Sequence, residues 1–378
     1  METGVVGALP ASQQAQFGFI DLLKAVAAQL IVLHHLAFYG PMADRAQLLM
    51  PDLVEWLAND ARIAVQVFLV IGGFLAAKSL SPRGLPGLAH PLSTISRRYM
   101  KLAPPFMAAM LLAVGASALA GRWMTHDAIS AFPSAAQLAA HALLLHDVLG
   151  FEALSAGAWY VAIDFQLYAS MSVLLWVCGR LADGRALPWL MPAVMSVAVG
   201  ASLLHFNLDP EWDVWAPYFI GSYGLGALAW WASDPARRPS SVALMLCMLA
   251  LPALLSLTLD FRSRIALALA VACALILFGR VRTPSSTHGL WSLAAYMGKI
   301  SYSVFLVHFP VCLVVNAAFT RFAPDEASVQ AAGMVYAWAA SLFAGAAFHH
   351  WVEVPLGRSL NQARKSSTGS SPKRLASR

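Results

Sequence analysis

The chain has 378 residues, of which 59% are hydrophobic and 12% charged, with a formal net charge of +6. A water-soluble domain carries about 25% charged residues, so the composition excludes one and describes a polytopic helical membrane protein. The basic residues sit in short loops between apolar runs. There they set orientation in a bilayer, and they give no sign of nucleic-acid binding.

Runs long enough to span a membrane occur at about 19–40, 61–80, 99–120, 158–179, 186–206, 214–232, 241–259, 264–280, 298–319 and 329–352. The first, Phe19 to Gly40, carries Asp21, Lys24, His34 and His35. Ionisable groups in a spanning segment are costly and normally face a protein interior or a wet cavity. Lys24 and His35 share a face of this helix, roughly 16 Å apart along its axis. Lys24 could instead snorkel to lipid headgroups, and His35 could be a core histidine bonded to a backbone carbonyl.

An eleventh run, 135–149, contains His141 and His146 and is too short to span comfortably. If it does not cross, the basic stretches 78–101, 180–185, 237–238 and 280–282 and the basic tail share one side, and the acidic loops 44–60 and 207–213 share the other. If it crosses, the basic loops split between both faces. The first arrangement satisfies the positive-inside rule. The expected fold is therefore all-α: a transmembrane bundle of about ten spanning helices, both ends cytoplasmic, with 135–149 as a re-entrant or interfacial helix on the outer side. The expected organisation is a short N-terminal segment (1–18), a membrane domain (19–358) and a disordered basic tail (359–378). Residues 1–16 carry no Lys or Arg, so the first helix is expected to stay rather than be cleaved as a signal peptide. Cys178, Cys247, Cys273 and Cys312 all lie in apolar runs with no CxxC pair. They read as buried thiols, with neither a disulfide framework nor a metal site.

Polar groups recur inside or beside the spans. Arg97, Arg98 and Lys101 open the third helix at the cytoplasmic boundary, near the depth of Lys24. They could be orientation signals, or a cradle for a phosphorylated ligand. Asp164 lies about five residues below the outer end of its helix and His35 about four below the outer end of the first, so the two fall at one depth. A carboxylate could orient that imidazole; Asp164 could equally hold helices together. Further along, Ser301, Tyr302 and His308 punctuate an apolar helix, and Glu353 ends the last span just before Pro355, which is expected to stop it.

Taken in order, these stretches resemble the acyltransferase 3 family of integral-membrane acyltransferases. Ile20, Asp21, Leu23, Lys24 and then His35 resemble its I-D-x-L-R pattern with a following His. Phe68 to Phe74 resemble F-x-x-S-G-[FY], and Arg97, Arg98, Lys101 and Pro104 resemble R-R-x-x-R-x-x-P. Trp159 through Asp164 to Tyr168 resemble W-[ST]-L-x-x-E-x-x-[FY]-Y. Ile300, Ser301, Tyr302, Phe305, Leu306, His308 and Pro310 match I-S-Y-x-x-[FY]-L-x-H-x-P, and Glu353-Val354-Pro355 matches E-x-P. Lys24 and Lys101 stand where the pattern has Arg, Asp164 where it has Glu, and Gly72 where it has Ser.

The resemblance implies transfer of an acyl group, often acetyl, from cytoplasmic acyl-CoA to a hydroxyl of a carbohydrate or lipid-linked glycan. Acyl-CoA, with acetyl-CoA foremost, is a co-substrate, with no permanently bound cofactor, no metal and no nucleic-acid partner. Membrane lipids surround the chain, and the bacterial inner membrane is the expected location. On this reading Arg97, Arg98 and Lys101, with Lys24, hold the CoA phosphates. His35 acts as general base and Asp164 orients it; His34 remains open as the base. Trp159, Tyr168, Ser301, Tyr302, His308 and Glu353 complete the substrate-binding set. The rival reading is a transporter or flippase of a small anion or glycolipid using the same intramembrane charges.

Overall fold

The computed structural model describes residues 18–280 and 289–369, and among them there are helices and no strand. In chain order the first are α1 (Gly18–Phe38), α2 (Pro41–Ala46), α3 (Pro51–Asn59), α4 (Val65–Leu80), α5 (Pro91–Ala120), α6 (Ala135–Ala142) and α7 (Ala158–Leu181). They are followed by α8 (Leu190–Leu204), α9 (Ala216–Ala232), α10 (Pro239–Leu259), α11 (Ser263–Phe278), α12 (Leu290–Phe322), α13 (Ala327–Phe348) and α14 (Val354–Gly369). Prolines open α2, α3, α5 and α10. The first helical position has no N–H partner to lose and suits the fixed φ of proline.

Among the described residues eight helical segments are long and apolar enough to cross a membrane. Two shorter apolar helices, α9 with 17 residues and α11 with 16, complete the ten runs expected from the sequence. α9 is buried along nearly its whole length and packs against α4, α8, α10 and α11. Its close approach to α4 depends on two glycines. A Cβ on Gly73 would collide with the Tyr223 carbonyl, and one on Gly226 with that of Val70. Small residues let membrane helices pack backbone to backbone, where lipid supplies no hydrophobic drive for association.

α6 has eight residues, about 12 Å of helix, and does not cross. The loop after α5 and the start of α7 line the same cavity, through Asp127 and Trp159. The segment re-enters the bundle rather than lying on it. Tyr99, early in α5, donates its hydroxyl to the Ala142 carbonyl at 2.7 Å and packs against Phe165 at 5.8 Å. Non-helical backbone at membrane depth needs such a partner. Behind it, His141 and His146 stack at 4.1 Å and both rings face Phe106.

Two expectations at the C-terminal side change. Pro355 does not stop the last helix. A π-helical turn, His349–Glu353, follows α13, and Pro355 sits in the first turn of α14, where proline is tolerated. α14 then runs to Gly369, into the stretch 359–378 expected to be disordered, because Leu360, Gln362, Ala363, Arg364 and Lys365 are good helix formers. Residues 370–378 of that tail, residues 1–17 of the N-terminal segment and Arg282 lie outside the described residues.

Candidate active site

Two cavities lie at opposite ends of the bundle. One, of about 540 Å³, is lined by Lys24, Arg98, Lys101, Asp164, Lys299 and Glu353, among others. The second, of about 1120 Å³, is lined by His34, His35, Gln66, Asp147, Trp159 and Arg264, among others. The helices change cavity at a common level. α1 contributes Lys24 to the first and His35 to the second, α4 gives Phe68 and Gln66, and α7 gives Tyr160 and Trp159, respectively.

At the second cavity His35 Nδ1 lies 2.6 Å from His308 Nε2, and the two rings are stacked within 4° of parallel. His308 Nδ1 lies 2.8 Å from the Phe305 carbonyl and 3.2 Å from that of Val304. A carbonyl only accepts, so His308 carries its proton on Nδ1 and presents a lone pair at Nε2. His35 must then donate from Nδ1, which leaves the lone pair on its own Nε2. The hydrogen bond made by one ring nitrogen fixes the chemistry of the other. His34 turns away, with Nδ1 at 3.0 Å from the Leu57 carbonyl of α3. Both histidines line the cavity, but the geometry gives them different anchors.

The expected pairing of Asp164 with His35 is not formed. Asp164 accepts from Arg98 at 2.5 Å in the first cavity, and Arg98 also stacks over Tyr168 at 5.1 Å. Equal depth placed Asp164 and His35 together in the sequence reading, but α7 turns the carboxylate toward α5. His308 of α12 is the side chain that meets His35 Nδ1 instead. Arg97 is likewise outside the cavity: it is exposed and bonds the Ser93 carbonyl and Thr94 Oγ1 of its own helix. Three residues separate Arg98 from Lys101, so they share a face of α5; Arg97 is turned by about 100°.

The other expected residues divide by cavity. Lys24, paired with Asp21 at 3.3 Å, lines the first with Lys101, Ser301, Tyr302 and Glu353. Ser301 bonds the Gly298 carbonyl and Tyr302 that of Leu102. Glu353 is held by Ser303 Oγ at 2.6 Å and His349 Nδ1 at 2.8 Å. Trp159 lines the second cavity and packs on Phe219 at 5.8 Å. Tyr168 reaches neither cavity except through Arg98. Lys299 and Arg358, outside the expected set, also line the first cavity, and His349, likewise unexpected, holds Glu353. Lys299 directly precedes the Ile300-Ser301-Tyr302 motif, and that position was the available signal. Among the described residues no group of three or more His, Cys, Asp or Glu side chains is placed to hold a metal ion.

An all-helical membrane bundle with a polar cavity at each end is the class this geometry defines. A family model described as an acyltransferase domain matches residues 17–348, and the chain belongs to that acyltransferase 3 family of membrane acyltransferases. Glu353-Val354-Pro355 lies just beyond the matched stretch. The chain is also similar to the Regulator of hypoxia-inducible factor 1 of Caenorhabditis elegans, at 27% identity over 176 residues. That match covers 43% of this chain and 35% of the relative, so the chain spans about a third of that protein's length. No solved structure matches.

Proposed function

We propose that this membrane acyltransferase moves an acyl group from acyl-CoA, entering from the cytoplasm at the Lys24 end, to a hydroxyl of a carbohydrate or lipid-linked glycan at the His35 end. The observation that carries the reading is the His35–His308 pair, which leaves an unprotonated imidazole nitrogen on a residue that lines the second cavity. His35 Nε2 takes the proton of the acceptor hydroxyl as its oxygen attacks the thioester carbon. The C–S bond breaks, the C–O bond forms, and the proton passes to the departing CoA thiolate. His308 holds the imidazolium in place.

Lys24, Lys101, Lys299, Arg358 and Arg98 make the first cavity fit a phosphorylated donor. Arg98 is already engaged with Asp164 and works as a braced guanidinium rather than a free one. The second cavity mixes carboxylates, arginines and the rings of Trp159, Tyr218 and Phe219. Rings pack on the C–H faces of sugars, while carboxylates and guanidinium groups pair with hydroxyls. An acetyl group as the cargo, the bacterial inner membrane as the location and cytoplasmic termini belong to this proposal; the loop charges support the orientation. The test is purified protein in detergent with radiolabelled acetyl-CoA and a glycolipid extract of the membranes in which the protein is expressed. Ester-linked label on the glycans supports acyl transfer. A translocator with no acyl chemistry leaves the extract unlabelled and acetyl-CoA intact.

A further inference from the structure

One side chain, Phe305, lines both cavities. Its ring packs against Tyr160 at 5.3 Å and Phe68 at 6.4 Å, residues that line only the first cavity. Its ring also lies 6.0 Å from that of His308, the partner of His35. Helices α4, α7 and α12 therefore place three aromatic rings at the level where the cavities meet. Gly157, at the entry to α7, leaves room for the ring: a Cβ there would lie 3.1 Å from its Cε1 and 3.2 Å from its Cζ. The carbonyl of the same Phe305 anchors His308 Nδ1 at 2.8 Å.

The geometry points to Phe305 as a gate. Its ring closes the passage between the two cavities and swings aside for the acyl group to meet the acceptor hydroxyl. The second half of this statement rests on the proposed acyl transfer; the closure itself does not. The closure has a chemical purpose. Water reaching the thioester from the second cavity would add to its carbonyl, break the C–S bond and release acetate and CoA thiol, and a closed site prevents such a side reaction. An unbroken polar path would also pass ions across the bilayer. The backbone of Phe305 ties the gate to the imidazole pair, so a rotation of this turn of α12 moves both.

The experiment places a cysteine at the first cavity with Gly72→Cys, in a background lacking the four native cysteines. Gly72 has the space, since the nearest atoms a Cβ there would meet are on Tyr223 at 3.4 Å and Asp164 at 3.6 Å, ordinary contact distances. A membrane-impermeant anionic thiosulfonate, whose charge suits the basic first cavity, is then applied to either face of sealed membranes. With Phe305 present, labelling is expected from the Lys24 face only. With Phe305→Ala it is expected from both faces, severalfold faster from the His35 face than before. Phe305→Leu, which keeps bulk but loses the ring, is measured alongside, so that a folding defect in the alanine variant leaves the test intact; it should give an intermediate rate. Equal labelling from the His35 face with and without the ring overturns the gate, whatever the activity. In parallel, CoA thiol release from acetyl-CoA without acceptor is expected to rise severalfold in Phe305→Ala. A gate that opens by labelling while acetyl-CoA stays intact keeps the closure and overturns its link to acyl transfer, and with it the choice of donor.

Discussion

His35 and His34 differ by one position and by what holds them. His35 is tied to another imidazole, His308, and His34 to the backbone of α3. A general base contributes about 10²–10⁴ in rate, so His35→Ala should lose that much transfer per mole of folded protein, while His34→Ala loses severalfold at most. His308→Ala frees His35 to take either tautomer; kcat should fall and its pH profile should shift, and His308→Gln, whose amide oxygen can accept from His35 Nδ1, should recover part of the loss. Steady-state rates across pH on monodisperse variants decide this, and an unshifted profile in His308→Ala would show that His308 does not set the tautomer of His35. Asp164→Asn makes the opposite pattern. It leaves Arg98 without its counter-charge, which should lower the melting temperature and donor affinity while leaving the pH profile unchanged. The sequence placed His34 and His35 on α1, and the depth match it found between Asp164 and His35 is not a contact: Asp164 meets Arg98 and His35 meets His308. Depth along a helix can be counted from residue numbers, whereas the rotation of α7 relative to α1 is set by packing with helices far away in sequence. The Asp164–Arg98 pair spans 66 residues and the His35–His308 pair 273.

The elements were legible where one physical rule dominated. Ten apolar runs are ten helices because an unsatisfied peptide group in lipid is too costly for anything else. The shortness of 135–149 and the loop charges together predict that it does not cross, and α6, with eight residues, is too short to do so. What charges could not show is that this segment plunges inward to Tyr99. Tyr99→Phe tests that contact: it leaves the Ala142 carbonyl unpaired, and should destabilise by about 1–3 kcal/mol, read as a lower melting temperature. Asp147, at the exit of the same segment, gives a pH signature. Burial first, and then Asp213, push its pKa from 3.8 up to about 6. The fold thus favours the protonated acid. Stability is lost as pH rises from the unfolded value through the folded one, between about 4 and 6. Asp147→Asn removes this slope, so its melting temperature relative to the wild type should climb across that window; a constant difference would show that the carboxyl is not strained. The π-helical turn before α14 and the onward run of that helix were not legible, because Pro355 reads equally as a stop or as a first-turn residue.

At the scale of the whole molecule the two cavities give the bundle a direction. Cations gather at the end the loop charges assign to the cytoplasm, and the imidazole pair stands beyond the ring of Phe305. The sequence showed the two ends but not the wall between them, since Phe305 is one apolar residue among many until α4, α7 and α12 are packed together. The direction makes a demand on any assay: donor and acceptor must be able to react from opposite sides of a membrane. Sealed proteoliposomes, with radiolabelled acetyl-CoA confined to the Lys24 face and the glycolipid extract supplied only at the His35 face, measure this directly. Wild-type protein should label the glycans, and His35→Ala should not. Label that forms only when donor and acceptor share one face would contradict the account.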